Sequence, residues 1–370
     1  METPKVALVH DWLTGQRGGE KVLEVFAEIF PTAPIYTLFH FQGSQAADIE
    51  KRLIHTSFIQ RLPLLKKRYR FYLPLFPLAV ELFDFQEYDM IVSTSHCAAK
   101  GAIPNPDALH ICYVHSPMRY AWNQYFSYFA PDKLGFFARR VIPPVMHRLR
   151  IWDESSSHRV DHFVANSRSV AARIQKYYRR AADVIHPPVD TDLFYPGEKV
   201  DDYFLIVSAL VPYKKIDLAV RVFNQNGLPL RIVGQGPDYK GLKRMAKSNI
   251  RFMGALSYEE LRRCYQEARA LIMPGEEDFG INALESQACG VPVIAYGRGG
   301  ATETVIPEET GLLFSELSVA GLLAVLDKFP NITFNKKTIR ANALNFSRDT
   351  FKRKALSFFN TKWVEHVSEQ

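Results

Sequence analysis

Short uninterrupted apolar runs recur along the chain, each followed by a loop rich in Gly, Pro, Asp or charge and then by a stretch with helical spacing. Lys5-Val-Ala-Leu-Val-His10 is the first. It is followed by the loop Asp11-Trp-Leu-Thr-Gly15-Gln-Arg-Gly18-Gly19-Glu20 and by apolar positions at Val22, Leu23, Val25, Phe26 and Ile29. Runs without alternation suit strands covered on both faces, and the three-and-four spacing suits an amphipathic helix. Ile35 to Phe39, Met90 to Val92, Ile111 to Val114 and His162 to Ala165 continue the series. A second series begins at Phe204 to Ser208 and runs through Leu230 to Val233, Ala270 to Met273 and Val291 to Ala295. Strands alternating with helices predict parallel sheets, hence an α/β protein in two halves. Domains are expected over 1–186 and 200–346, with 187–199, rich in Pro, Asp and Gly, as the linker. A last helical pattern carries Phe351, Leu356, Phe359 and Trp363.

Composition agrees with two cores, since 370 residues that are 47% hydrophobic exceed what one domain ordinarily needs. Cys97, Cys112, Cys264 and Cys289 have neither metal-ligand nor redox spacing and sit among apolar residues, as reduced buried thiols do. No cleavable leader is visible, and no stretch of about 20 apolar residues occurs, so a cytoplasmic location is expected. The net charge of +7 fits a nucleic acid, an anionic membrane or an anionic substrate. No nucleic-acid-reading module is present. Residues 61–80 mix five cations, Arg61, Lys66, Lys67, Arg68 and Arg70, with a dense apolar and aromatic run. That mixture suits either the headgroup boundary of a membrane or a helix pair packed on the N-terminal core with its lysines reaching outward. Pro63, Pro74 and Pro77 argue against one long helix there.

The most informative block is Pro274-Gly-Glu-Glu277-Asp-Phe-Gly280-Ile-Asn-Ala-Leu-Glu285, followed by Gly290-Val-Pro-Val-Ile-Ala295 and Gly299-Gly300-Ala-Thr-Glu303. It reads as a loop leaving a buried strand and a helix from Phe279 to Cys289. At about 1.5 Å per residue, Glu277 and Glu285 stand roughly 12 Å apart, the scale of a sugar diphosphate. Gly280 lets backbone N–H groups at the helix start approach an anion. The layout suits a nucleotide diphosphate sugar; an ordinary βα unit with two solvated glutamates is the simpler alternative. His115 ends an apolar strand, where ligands collect in open α/β sheets, although a core histidine is also possible. Arg119 is a candidate acceptor or phosphate contact, or a brace for Asp153. The Gly loop invites a dinucleotide-binding reading, but it lacks G-x-G-x-x-G spacing and no acid follows Ile35 to Phe39. Asp190-Thr-Asp192 resembles a metal-binding pair but sits in the expected linker, where a turn role is simpler.

This block resembles the donor signature of the retaining glycosyltransferases of family 4, and the likeness extends over nearly the whole chain. Ser208-Ala-Leu-Val-Pro-Tyr-Lys214-Lys215-Ile-Asp217 resembles the loop that supplies cations for the donor diphosphate. Tyr113-Val-His115-Ser-Pro-Met-Arg119-Tyr-Ala-Trp122 and Val184-Ile-His-Pro-Pro-Val-Asp190 resemble a bacterial, WbaZ-like branch of mannosyltransferases. The resemblance implies the GT-B fold, two Rossmann-like parallel-sheet domains facing a central cleft, with a final helix, about 347–370, crossing back to the first domain. It implies an N-terminal acceptor domain and a C-terminal nucleotide-sugar domain. Transfer of mannose from GDP-mannose to a lipid-linked oligosaccharide of a bacterial surface polysaccharide is the expected reaction, with peripheral attachment at the inner face of the cytoplasmic membrane. The roles implied are His115 on the transferred sugar, Glu277 on hexose hydroxyls, Glu285 on the ribose, Lys214 and Lys215 on the diphosphate, and Phe279, Gly280 and Ile281 at the helix start. Gly18 and Gly19 are implied to approach the phosphates or the sugar, a tight turn being their plain alternative. No metal or cofactor is required.

One departure stands out. Many relatives carry arginine where this chain has Ala209; either Lys215 or Arg298 replaces that charge, or turnover is weakened. A transferase with a UDP- or ADP-sugar, a phosphorylase, and a non-catalytic sugar-nucleotide-binding protein are the rival readings.

Overall fold

The computed structural model describes residues 3–16, 18–129 and 134–369. Arg17, within the Gly loop, lies outside the described residues. The chain divides into two compact units, Met1–Pro187 with Phe351–Gln370, and Pro188–Thr350.

The first unit holds seven strands: β1 Val6–His10, β2 Ile35–Thr37, β3 Ile54–Thr56, β4 Met90–Ser95, β5 Leu109–Val114, β6 His162–Ala165 and β7 Asp183–Val184. They form one sheet in the order β3-β2-β1-β4-β5-β6-β7. Every pairing is parallel, with Leu8 opposite both Ile35 and Val92. Alternate residues of β1 serve opposite layers. Val6 and Leu8 pack with Val22, Phe26, Phe351 and Phe359, while Ala7 and Val9 pack with Phe39, Phe76 and Phe85. Both faces are therefore covered, which is why the strand is continuously apolar.

The helix Gly18–Ile29 lies in the first of these layers with the final helix, Arg348–Glu369. Phe26 meets Phe351 at 5.7 Å and Phe359 at 5.1 Å between ring centroids. Burying each such ring contributes about 1.5–3 kcal/mol, enough to fix the last helix from Phe351 onward on this unit. On the other face Lys100 and Asp153 form a fully buried ion pair at 3.2 Å. Trp122 and Tyr178 donate to the second Asp153 oxygen at 2.7 and 2.9 Å, so the carboxylate weighed as a partner for Arg119 has a structural role.

Residues 61–80 form short pieces, with helices at Leu65–Arg68 and Phe76–Glu81 joined by a 3-10 turn. Leu65, Phe76, Ala79 and Val80 enter the core, whereas Phe71 is 80% and Leu78 50% exposed. The lysine-bearing helix Leu65–Arg68 is thus anchored through Leu65, while Phe71 and Leu78 stand bare on the same segment. Among the described residues, no helix is long and apolar enough to cross a membrane. All four cysteines are buried and free.

The second unit holds β8 Phe204–Val207, β9 Leu230–Val233, β10 Ile250–Gly254, β11 Ala270–Met273, β12 Val293–Tyr296 and β13 Gly311–Phe314. Their order is β10-β9-β8-β11-β12-β13, again parallel throughout. The strand expected from Val291 begins two residues later, because Pro292 has no N–H for the ladder and only its carbonyl pairs, with Leu271 N at 2.9 Å. Of residues 187–199, expected as linker, Val189 and Phe194 enter apolar clusters of this unit, both fully buried. Asp190 Oδ1 accepts from Leu193 N at 2.9 Å, a turn contact.

Candidate functional site

In each sheet the strand order reverses once, between β1 and β4 and between β8 and β11. A crevice opens outside the carboxyl ends at such a point, and ligands bind there. Gly18 and Gly19 follow β1 at the first of these places and Lys214, Lys215, Glu277 and Gly280 stand at the second, while His115 and Arg119 follow β5, one strand further along.

In the second unit, the loop after β8 carries Lys214 and Lys215, and the loop after β11 carries Glu277. Lys214 Nζ forms an ion pair with Glu277 Oε2, the two side chains being 14% and 17% exposed. Lys215 is exposed and adopts a left-handed backbone, φ 55°, as it opens the helix Ile216–Asn226. The loops interlock through backbone. Glu277 bridges Gly299, where φ is +68°, and its carbonyl accepts from Gly300 N at 2.8 Å. A Cβ on Gly300 would lie 2.2 Å from Phe279 Cα, so only glycine allows this approach. Ala209 and Arg298 are both exposed, with Arg298 over the Tyr296 ring at 5.9 Å.

The helix expected over 279–289 spans Ile281–Ala288. Gly280 is its N-cap, at φ 85°, and, having no side chain, gives the helix start no cap of its own. Residues 277–280 are therefore loop, and the helical rise separates only Ile281 from Glu285. Phe279 lies outside the helix and is 3% exposed, packed with Val189, Leu284 and Phe346. Its ring thus supports the loop, so a donor contact from Phe279 would come through its backbone. Ile281 borders the same cluster. Asn282 Nδ2 donates to Val207 O at 2.5 Å and ties the helix start to the end of β8. Glu285 is buried, and its Oε2 accepts from the Tyr265 hydroxyl at 2.9 Å. Neither Asn282 nor Tyr265 was singled out from the sequence; both act by aiming a neighbour, which leaves no motif.

In the first unit, His10 and Asp11 end β1, His96 follows β4 and His115 follows β5. Asp11 is fully buried and accepts backbone N–H bonds from His96, Cys97, Ala98 and Ala99 at 2.5–2.9 Å, and the His96 ring Nδ1 lies 2.9 Å away. Burial pushes its carboxyl up, but His96, by charge and hydrogen bonds, and His10 bring it well below the ordinary carboxylate range. His115 is pushed down to about 3, by burial first and then by His96, His10 and Arg119, against the pull of Asp11. Burial likewise lowers His10 to about 4, with Asp11 opposing. Both imidazoles are neutral at pH 7. Gly18 and Gly19 are not a loop but the first residues of the helix Gly18–Ile29. The strand-end rule that singled out His115 applies equally to His10, which the sequence reading passed over.

Among the described residues, no three His, Cys, Asp or Glu side chains are grouped to hold a metal ion. The second unit thus presents an uncapped helix start, a lysine pair and two restrained carboxylates, a set suited to an anion flanked by hydroxyls.

Residues 35–193 match the family described as Glycosyltransferase Family 4, and residues 194–343 match Glycosyl transferases group 1. The matches abut within the segment 187–199, just past the boundary of the first unit at Pro187, and the chain belongs to the family 4 glycosyltransferases, with the GT-B class of fold. It spans about half or less of the length of the curated relatives it matches. One is a GDP-mannose-dependent phosphatidylinositol monomannoside mannosyltransferase of Corynebacterium glutamicum, 37% identical over 135 residues, 32% of this chain and 35% of that one. Among solved structures, sucrose-phosphate synthase from Thermosynechococcus elongatus superposes with a TM-score of 0.73 at 17% identity, covering 97% of this chain and 99% of that one. The Anabaena HepE protein bound to UDP-glucose gives 0.68 at 15% identity, over 97% and 100% of the two chains.

Proposed function

We propose that the protein transfers a hexose, mannose from GDP-mannose, with retention at the anomeric carbon, onto a lipid-linked oligosaccharide of a bacterial surface polysaccharide. The observation that carries the reading is the Lys214–Glu277 pair beside the uncapped start of the Ile281–Ala288 helix. A departing nucleoside diphosphate gathers negative charge, and fixed positive charge with backbone N–H groups stabilises it. Lys214 and Lys215 supply the charge; Gly280 and Ile281 supply the backbone. Glu285, held by Tyr265, takes the ribose hydroxyls, and Glu277, held by Lys214, takes hexose hydroxyls. Glu277 is thereby committed to a cation and is a poor covalent nucleophile. The departing phosphate oxygen removes the acceptor's proton as the acceptor attacks from the same face.

The first unit contributes His115, neutral, as a contact to sugar hydroxyls, with Gly18 and Gly19 at its helix start and Arg119 as a phosphate or acceptor contact. No metal or cofactor enters the scheme. The mannosyl branch is supported by the motifs around His115 and by the mannosyltransferase relative of Corynebacterium glutamicum. Peripheral attachment to the inner face of the cytoplasmic membrane is supported by the exposed Phe71 and Leu78 among Lys66, Lys67, Arg68 and Arg70. Calorimetric titration of GDP and of UDP without added metal tests the donor site. GDP binding lost in Glu285→Ala is the expected result; UDP preference moves the donor, and binding of neither sinks the assignment.

A further inference from the structure

Two imidazoles in the first unit each hold a buried nitrogen with no hydrogen-bond partner among the described residues, His10 Nε2 and His115 Nε2. Both rings border one glycine. A Cβ on Gly19 would lie 3.4 Å from His115 Nε2 and 3.7 Å from His10 Cε1. Buried polar atoms are nearly always paired, so two orphans flanking the same bare Cα at a helix start mark a place for a ligand atom.

The chemistry of that atom follows from the surroundings. His10 is 1% exposed, and its Nδ1 shares a 2.5 Å hydrogen bond with Thr94 Oγ1, which fixes the ring and leaves Nε2 as its one open position. At its open Nε2 each neutral imidazole is either a donor or an acceptor and carries no charge. The buried Asp11 carboxylate adjoining them opposes an anion. Among the described residues, no third ligand completes a metal set. A hydroxyl, which both donates and accepts, satisfies two such nitrogens at once.

We propose that His10 and His115 act as a pair that binds one saccharide hydroxyl at the start of the Gly18–Ile29 helix, His10 being an additional recognition residue of the enzyme. The saccharide rests on the transferase reading above, and its hydroxyl belongs either to the transferred hexose or to the acceptor.

The two nitrogens of His10 can be separated by substitution. His10→Asn keeps a polar atom near Nδ1 for Thr94 and removes Nε2; His10→Gln reaches the Nε2 position and abandons Thr94. Turnover, GDP affinity and melting temperature are measured on the full chain. The expected result is about a tenfold loss of turnover in His10→Asn, unchanged GDP affinity and melting, and rescue in His10→Gln. Slower hydrolysis of GDP-mannose without acceptor assigns the hydroxyl to the donor hexose; a raised KM for acceptor alone assigns it to the acceptor. The proposal is overturned if His10→Asn matches the wild type, or if His10→Gln is the worse variant and melts lower, since the ring then serves only Thr94. A wild type that turns over no sugar nucleotide would refute the transferase reading instead. In that event imidazole nitrogen shifts on adding methyl α-mannoside decide the pair directly: shifts at His10 and His115 that vanish in Gly19→Ala support it, and their absence in the wild type ends it.

Discussion

Adding one methyl group at Gly300 tests whether the loops of the second unit are held in place by close backbone contact. Gly300 has φ −65°, which alanine accepts without strain, so the whole penalty of Gly300→Ala is steric. The new carbon would lie 2.2 Å from Phe279 Cα and 2.3 Å from Phe279 O. Ordinary carbon contact begins near 3.5 Å, so the backbone must part by about 1.3 Å. Neither neighbour is a flexible side-chain tip. Overpacking of this kind costs about 1–3 kcal/mol. Phe279 precedes Gly280, the N-cap of the helix assigned to the donor, and the displacement falls on that anion site. If the loop yields, GDP binding weakens by about 5- to 150-fold; if it holds, the cost appears as a melting temperature lower by about 2–4 °C per kcal/mol. Gly241→Ala is the control, being inside the helix Tyr239–Met245 with nothing within 4 Å of a new Cβ. It should stabilise the protein by up to about 1 kcal/mol and leave GDP binding alone. Calorimetry and thermal melts on the three proteins suffice. A Gly300→Ala protein that binds GDP and melts like the wild type would refute the packing argument.

Lys214→Met removes the partner of Glu277 and a cation from the diphosphate site; GDP affinity should fall about 10- to 100-fold and turnover further, and equal losses in both would mean that Lys214 acts only in binding. Ala209→Arg returns a charge to an exposed loop position, and turnover with the natural donor should rise; unchanged kinetics would show that Lys215 or Arg298 already supplies that charge. Stability should also depend on pH in a defined window. His10 and His110 sit at about 4 and His115 at about 3, each lowered first by burial. Between pH about 6.5 and 4 the unfolded chain binds protons that the folded chain refuses, so stability falls as pH drops, by at most about 1.4 kcal/mol per unit for each histidine. Asp11, whose folded value is depressed, adds its loss only below about pH 4. Urea midpoints from pH 7.5 to 5 check the slope, and a flat profile would contradict buried neutral imidazoles.

What the sequence disclosed follows from what each feature needs. Central strands such as β1, β4 and β11 are covered on both faces, so each must be apolar along its length, and such runs are conspicuous. The four strands that escaped notice, β3, β7, β10 and β13, are the four sheet edges. Two of them have only two or three residues, and β10 alternates buried and exposed positions, so little apolar pattern marks these three; β13, Gly311-Leu-Leu-Phe314, is apolar but short. The site shows the same division. Lys214, Glu277 and Gly280 come from loops whose local chemistry is written in consecutive residues. Phe279 stands in the same motif, yet its ring is an apolar support, because a loop needs an anchor as well as a contact. Tyr265 comes from elsewhere in the chain and meets Glu285 through one hydrogen bond, while Asn282 stands inside the motif but works through a bond to Val207 O that the neighbouring residues do not announce.

His10 belongs to neither group. Like His115 it stands at the end of a buried strand, and its strand, unlike β5, borders the place where strand order reverses. A strand-end polar residue is therefore worth testing on every strand that flanks the reversal, whether or not a motif surrounds it. Asp11 gives the reason that one such residue reads as structure and the next as a ligand contact: its carboxylate is consumed by four backbone N–H groups, whereas His10 keeps one nitrogen open. Adjacent residues on one strand end thus divide the work, the acid fixing the loop after β4 and the imidazole left to meet a hydroxyl.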